Sequence, residues 1–181
     1  MKGKEMESKR AGDIMIPLDM YPHIPYWFTV REAIAIIHHS QIEINGKKSL
    51  ARAVLVFDEE YKLLGMVRRR DILRGLEPES MFGTHAHHSK QYVNVDPDPE
   101  YFEISLDAIV RSIKSNSNKP VSDIMTTIDQ TVDSNDHIMK IIYEMNKYET
   151  SMLPVLKEDV VVGVVRTVDV LNEIGNVLGI E

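Results

Sequence analysis

Gly65-Met66-Val67-Arg68-Arg69-Arg70-Asp71 returns later in the chain as Gly163-Val164-Val165-Arg166-Thr167-Val168-Asp169. In both copies an apolar run passes a glycine, reaches an arginine and enters a polar stretch that carries an aspartate six residues after the glycine. Ahead of each stretch lies a second run of β-branched and aliphatic residues. Ala53–Phe57 precedes Leu63–Val67, and Leu153–Leu156 precedes Val160–Val165, so each pair reads as a hairpin. The turns are Asp58-Glu59-Glu60 and Lys157-Glu158-Asp159, too polar to bury. Further upstream, Val30, Ala33, Ile34 and Ile37 recur with helical spacing, as do Ile138, Ile141, Ile142 and Met145. Thr29 followed three residues on by Glu32 forms a capping box for the first helix, and Ser134 or Asn135 is placed to cap the second. Outermost, Gly12-Asp13-Ile14-Met15 returns as Ser122-Asp123-Ile124-Met125. Each copy closes in a helix, over about Arg68–Leu76 and Thr167–Leu178.

A unit of about 60 residues buries too little surface to be stable alone, so the two copies should pack on each other. The continuous apolar run Val160–Val165 implies cover on both faces of its strand. The expected architecture is an α/β (α+β) chain with two β-α-β-β-α repeats packed as a pseudo-twofold pair. The repeats occupy residues 11–76 and 121–178, and a connector, residues 77–120, carries a helix.

Composition removes several chemistries. The 181 residues include no cysteine, so no disulfide, thiolate metal site, iron–sulfur cluster or cysteine nucleophile is possible. A chain that is 43% apolar and 27% charged is ordinary for a globular protein and requires no cofactor to fold. No apolar run approaches the ~18 residues of a membrane span, and Met1–Arg10 does not look like a secretory signal, so a cytoplasmic protein is expected. With 21 Lys+Arg against 28 Asp+Glu, the formal charge is −7, which opposes general nucleic-acid binding. The local exception is the cluster Arg68, Arg69, Arg70 and Arg74. A single helix cannot turn all four guanidinium groups to one side, so Arg69, Arg70 and Arg74 are expected at the surface or between subunits.

In this order the repeated segments resemble the tandem cystathionine-β-synthase-type domain pair, or CBS pair. The resemblance rests on the Asp-Ile-Met opening, the helix, a small residue or Pro followed by Val at the first core strand (Ala53-Val54 and Pro154-Val155), and the closing glycine-to-aspartate motif. It implies a regulatory module without catalysis, holding an adenosine-containing ligand such as AMP, ADP, ATP or S-adenosylmethionine between the copies. The motif aspartates, which in that family bond ribose hydroxyls, correspond to Asp71 and Asp169. The hydroxyl residue near phosphate is replaced in both copies by arginine, Arg68 and Arg166, whose planar forks suit a phosphate. By position, Met15-Ile16, Met125-Thr126, Ala53-Val54 and Pro154-Val155 are the candidates for an adenine slot.

The rival reading of the aspartates is a first-turn charge on the helix dipole, and that of the arginines is an ion pair with those aspartates. Tyr26 and Trp27, beside the expected cleft, are better explained by packing than by stacking on a base. The connector holds a helical pattern at Leu106, Ile109, Val110 and Ile113, and Ser115–Asn118 reads as a short flexible link. His85, His87 and His88 lack the spacing of a zinc site, so no metal is expected there. Repeat one carries extra loop between Gln41 and Arg52, with an Asn45-Gly46 turn signal. Function is therefore expected to be nucleotide sensing, passed on through a homodimer or a separate effector protein. The rival is a ligand-free dimerisation scaffold; a metal-dependent hydrolase lacks an ordered nucleophile, base and orienter.

Overall fold

The computed structural model describes residues 9–44, 47–78 and 106–180. Repeat one contributes α1 (Ala11–Ile14), β1 (Ile16–Pro17), β2 (His23–Pro25), α2 (Val30–His39), a hairpin of β3 (Gln41–Ile44) and β4 (Lys47–Leu50), β5 (Ala53–Phe57), β6 (Leu63–Arg68) and α3 (Arg69–Leu76). The connector helix is α4 (Leu106–Asn116). Repeat two contributes β7 (Thr126–Thr127), β8 (Val132–Asp133), α5 (Ile138–Lys147), β9 (Met152–Lys157), β10 (Val160–Arg166) and α6 (Thr167–Leu178).

The two four-stranded sheets run β1-β10-β9-β8 and β2-β5-β6-β7. Each repeat therefore lends its opening strand to the other. Ile16 pairs with Val164 in repeat two, and Thr126 pairs with Met66 in repeat one. The helical leaders follow their strands. Ala11 and Ile14 enter the core of repeat two with Val132, Ile138, Ile141 and Leu153, while Val121 enters that of repeat one with Ile24, Val30, Val54 and Val67. A third cluster joins the sheets, with Ile16, Tyr21, Ile42, Leu55, Met66, Met152 and Val164 all buried. Glycine is required where the exchanged strands cross. A Cβ at Gly65 would stand 2.5 Å from the Thr126 carbonyl oxygen, and one at Gly163 closer still to that of Ile16.

Strand register corrects one expected equivalence. Ala53 lies opposite Arg68, and Met152 lies opposite Arg166. The counterpart of Pro154 is thus Leu55, since both stand two residues further along their strands, and the small-residue-then-Val pairs are not superposed. Both hairpins carry an irregularity just beyond the pair made by their glycine, which preserves the match elsewhere.

Local chemistry explains the helix starts. Thr29 Oγ1 accepts from the Glu32 amide while Glu32 accepts from the Thr29 amide at 2.7 Å, the capping box read from the sequence. The cap of α5 is instead His137, whose Nδ1 accepts from the Met139 amide. Asn135 is held in the preceding turn, where its amide donates to Asp133. Ser115–Asn118 is not a loose link. Asn116 and Ser117 are buried, the Asn116 side chain donates to the Glu77 carbonyl, and the Ser117 and Lys119 carbonyls accept from the Arg31 and Val30 amides at the start of α2. Those polar residues close one helix onto another. The extra loop of repeat one is the β3–β4 hairpin, tied inward by the buried Ile42; Asn45-Gly46 lies outside the described residues, as do His85, His87 and His88.

Candidate functional site

Where β6 becomes α3 and β10 becomes α6, the chain turns from extended to helical, and the residue at each junction is an arginine. Arg68 and Arg166 are the N-cap residues, with extended backbones. Three residues on, Asp71 and Asp169 turn back toward them. Asp71 accepts from the Arg68 amide at 2.9 Å, Nε at 2.8 Å and a terminal nitrogen at 3.1 Å. Asp169 accepts from the Arg166 amide at 2.9 Å, Nε at 2.9 Å and a terminal nitrogen at 2.7 Å. Each couple is a bidentate ion pair joined to a helix cap, with the carboxylates only 2% and 8% exposed.

Both arginines face one cleft of about 830 Å³ lying between the repeats. Among the described residues its wall includes Arg52, Arg68, Arg69, Arg70 and Arg166 against one carboxylate, that of Glu149. Leu50, Ala53, Met66, Met152, Val168 and Tyr21 supply apolar surface, with Ser49, Thr150, Ser151 and Thr167 between. Dispersed over two repeats, these residues meet because the residue before each core strand lies against a helix start. The Arg69 amide donates to the Arg52 carbonyl and the Thr167 amide to the Ser151 carbonyl.

Of the residues expected at a site, Arg68, Arg166 and Ala53 line this cleft. Asp71 and Asp169 sit behind their arginines and do not line it. Thr126 supports Arg68, accepting from a terminal nitrogen at 2.7 Å. Ile16, Val54 and Val155 are wholly buried in the cores and Pro154 is buried in β9, so none of these four reaches the cleft. Tyr26 and Trp27 also lie outside it, and Tyr26 hydrogen-bonds Glu59.

Arg69 and Arg70 are exposed, as expected, but they also line the cleft, which a single helix was not expected to allow. The strand runs through Arg68 and the helix begins only at Arg69, so three consecutive side chains fan around the junction while Arg74, a turn further, does not reach it. Sequence reasoning also missed Tyr21, Ser49, Arg52, Met66 and Met152. Tyr21 and Arg52 stand just before a strand and Ser49 in the insert, while Met152 opens β9 and Met66 lies within β6, so no single signal marks them. Burial pushes the Tyr21 hydroxyl up to about 12, with Asp169 adding to the shift and Arg166 opposing it. Among the described residues no group of three or more His, Asp or Glu side chains is placed to hold a metal.

Two like repeats that exchange opening strands around a shared guanidinium-lined cleft define a tandem repeat module. The chain belongs to the CBS domain family, whose model matches residues 27–78 and 121–176, and it forms a CBS pair. No curated protein matches it in sequence. Among solved structures it is similar to a CBS domain-containing protein of unknown function from Bacillus anthracis, with 17% identity, TM-score 0.65 and 96% of this chain over 98% of that one. It is also similar to CBSX2 in complex with AMP, at 16% identity and TM-score 0.60, covering 93% of this chain and 98% of that one. A third likeness is the cytosolic domain of the Mg2+ channel MgtE in complex with ATP, at 19% identity and TM-score 0.57, where 92% of this chain covers 49% of that one. No helix among the described residues is long and apolar enough to cross a membrane.

Proposed function

We propose that this CBS pair is a regulatory module that takes an adenosine-containing nucleotide into the cleft, with phosphate toward the arginines. One observation carries the reading: Arg68 and Arg166, from different repeats, converge on a single hollow. At about 830 Å³ the hollow lies in the usual range of small-molecule sites, and its guanidinium surplus attracts an anion to a protein of net charge −7. Met66, Met152 and Leu50 offer a flexible apolar surface for a base. The structures of relatives holding AMP and ATP support the choice of ligand class. The module performs no bond chemistry; occupancy is read as a change in the set of the two repeats, in the pairing of two copies, or in contact with an effector.

A second reading, a ligand-free assembly scaffold, is favoured by the way Asp71 and Asp169 are already engaged by their own arginines. Thermal unfolding in AMP, ADP, ATP and S-adenosylmethionine separates the two. A ligand at 100 times its Kd adds about 2.7 kcal/mol to stability. A rise with one of these compounds that shrinks in Arg166→Gln supports the sensor; no rise with any of them at millimolar concentration leaves the scaffold.

A further inference from the structure

The two arginine couples are alike except for the hydroxyl behind each. Arg68 donates to Thr126 on the strand lent by repeat two. The equivalent position on the strand lent by repeat one is Ile16, because Ile16 pairs with Val164 as Thr126 pairs with Met66. Isoleucine offers no acceptor. Arg166 instead donates to Ser49 Oγ at 3.0 Å, and Ser49 belongs to the β3–β4 hairpin, which has no counterpart in repeat two.

The substitution has a geometric consequence. Thr126 does not line the cleft, whereas Ser49 does. Ser49 Oγ accepts from Arg166, and its own hydroxyl hydrogen has no acceptor among the described residues. An anion at this corner would therefore meet an arginine fork and a hydroxyl donor together. Among the described residues the hairpin pairs with no other sheet, and it is held to the body by Ile42 and by this one side-chain hydrogen bond.

Resting on the nucleotide reading above, we infer that Ser49 and Arg166 form the phosphate-end clamp of the cleft, so that the ligand lies asymmetrically toward the inserted hairpin. Ser49 is then a specificity-determining residue that comes from the insert and not from the repeat. The Arg68 and Thr126 corner carries the weaker half of the site.

Titration calorimetry with AMP and ATP, on wild type, Ser49→Ala and Thr126→Ala, tests the assignment. Loss of one hydrogen bond to a charged group predicts binding about tenfold weaker in Ser49→Ala and within about twofold of wild type in Thr126→Ala. Equal losses in the two variants, or none in Ser49→Ala, overturn it. Hydrogen exchange of residues 41–50 adds a ligand-free measurement. The hairpin should exchange about fivefold faster in Ser49→Ala and in Arg166→Gln, and no faster in the double variant than in either single one. Additive increases, or none, overturn the tether even if no nucleotide binds, whereas wild type that binds neither AMP nor ATP overturns the nucleotide reading and the clamp with it.

Discussion

Asp169 is where the structure and the family resemblance make opposite demands, and replacing it separates them. In the fold its carboxylate accepts three N–H groups of Arg166, one of them the backbone amide that opens α6. The two side chains keep 8% and 14% of their exposure, so this is a mostly buried pair. Removing one partner of a buried pair costs about 3–5 kcal/mol, because the other charge is left behind. Loss of the cap bond alone would account for about 1 kcal/mol of that. Arg166 retains Ser49 and some contact with water, which places Asp169→Ala near the lower end, about 3 kcal/mol. Asp169→Asn keeps an acceptor oxygen and the shape, and should lose less.

Equilibrium urea unfolding at neutral pH measures the first quantity, and AMP titration of Asp169→Asn the second. If Asp169 acts as counterion, removing its charge leaves the cleft more cationic and AMP binds several-fold tighter at low salt, an advantage that shrinks as salt screens it. If it instead holds the ribose hydroxyls, AMP binds about tenfold weaker or worse. A loss under about 1 kcal/mol in Asp169→Ala would show the pair behaving like an exposed surface bridge, and weakened AMP binding in Asp169→Asn would refute the counterion role.

Gly163→Ala and Gly65→Ala each drive a methyl group into a backbone carbonyl, and both should lose about 1–3 kcal/mol in urea unfolding while Gly175→Ala, within α6 and meeting only ordinary van der Waals contact with Ile180, gains about 0.5–1 kcal/mol. Tyr21 binds its proton more tightly folded than unfolded, so its stabilisation is complete below pH 10 and declines as pH rises toward about 12; the slope seen in wild type over that window should flatten in Tyr21→Phe, and equal slopes would contradict it. The full decline is worth roughly 2–3 kcal/mol for a shift of this size. Thr29→Ala breaks the capping box of α2 and should cost about 1 kcal/mol, read by the same unfolding.

Much of the fold was legible because each local signal appeared twice. The spacing at Val30–Ile37 and Ile138–Met145, the paired apolar runs and the glycine-to-aspartate motif depend on near neighbours, and the elements lie where those patterns put them. Strand exchange was not legible. Ile16-Pro17 and Thr126-Thr127 are two residues each, too short to carry a period, and which sheet they join depends on a pairing partner far away in sequence. The site was half legible for the same reason. Arg68 and Arg166 stand out within the repeated motif, but that their aspartates lie behind them follows from an extended N-cap followed by a helical turn, which swings the third residue back toward the arginine amide. Ser49 and Arg52 carry no motif, and they reach the cleft only because the insert folds as a hairpin and the residue before β5 faces a helix start.

The exchange of strands also fixes what a ligand in this cleft is able to move. Arg68 ends β6, and β6 is bonded to β7, which repeat two supplies; the arginine also donates to Thr126 of that borrowed strand. Arg166 ends β10, which is bonded to the borrowed β1, and it donates to the insert of repeat one. Each guanidinium is thus fastened to both repeats at once. An anion that draws either one inward pulls on a strand crossing that pairs two residues, closes on a glycine with no slack and is backed by the buried Ile16, Leu55, Met66, Met152 and Val164. If such a pull changes the angle between the halves, α3 and α6 move with the ends of β6 and β10 from which they start. Leu73 and Leu171, the same position in each of those helices and both largely exposed, would carry that movement to the surface.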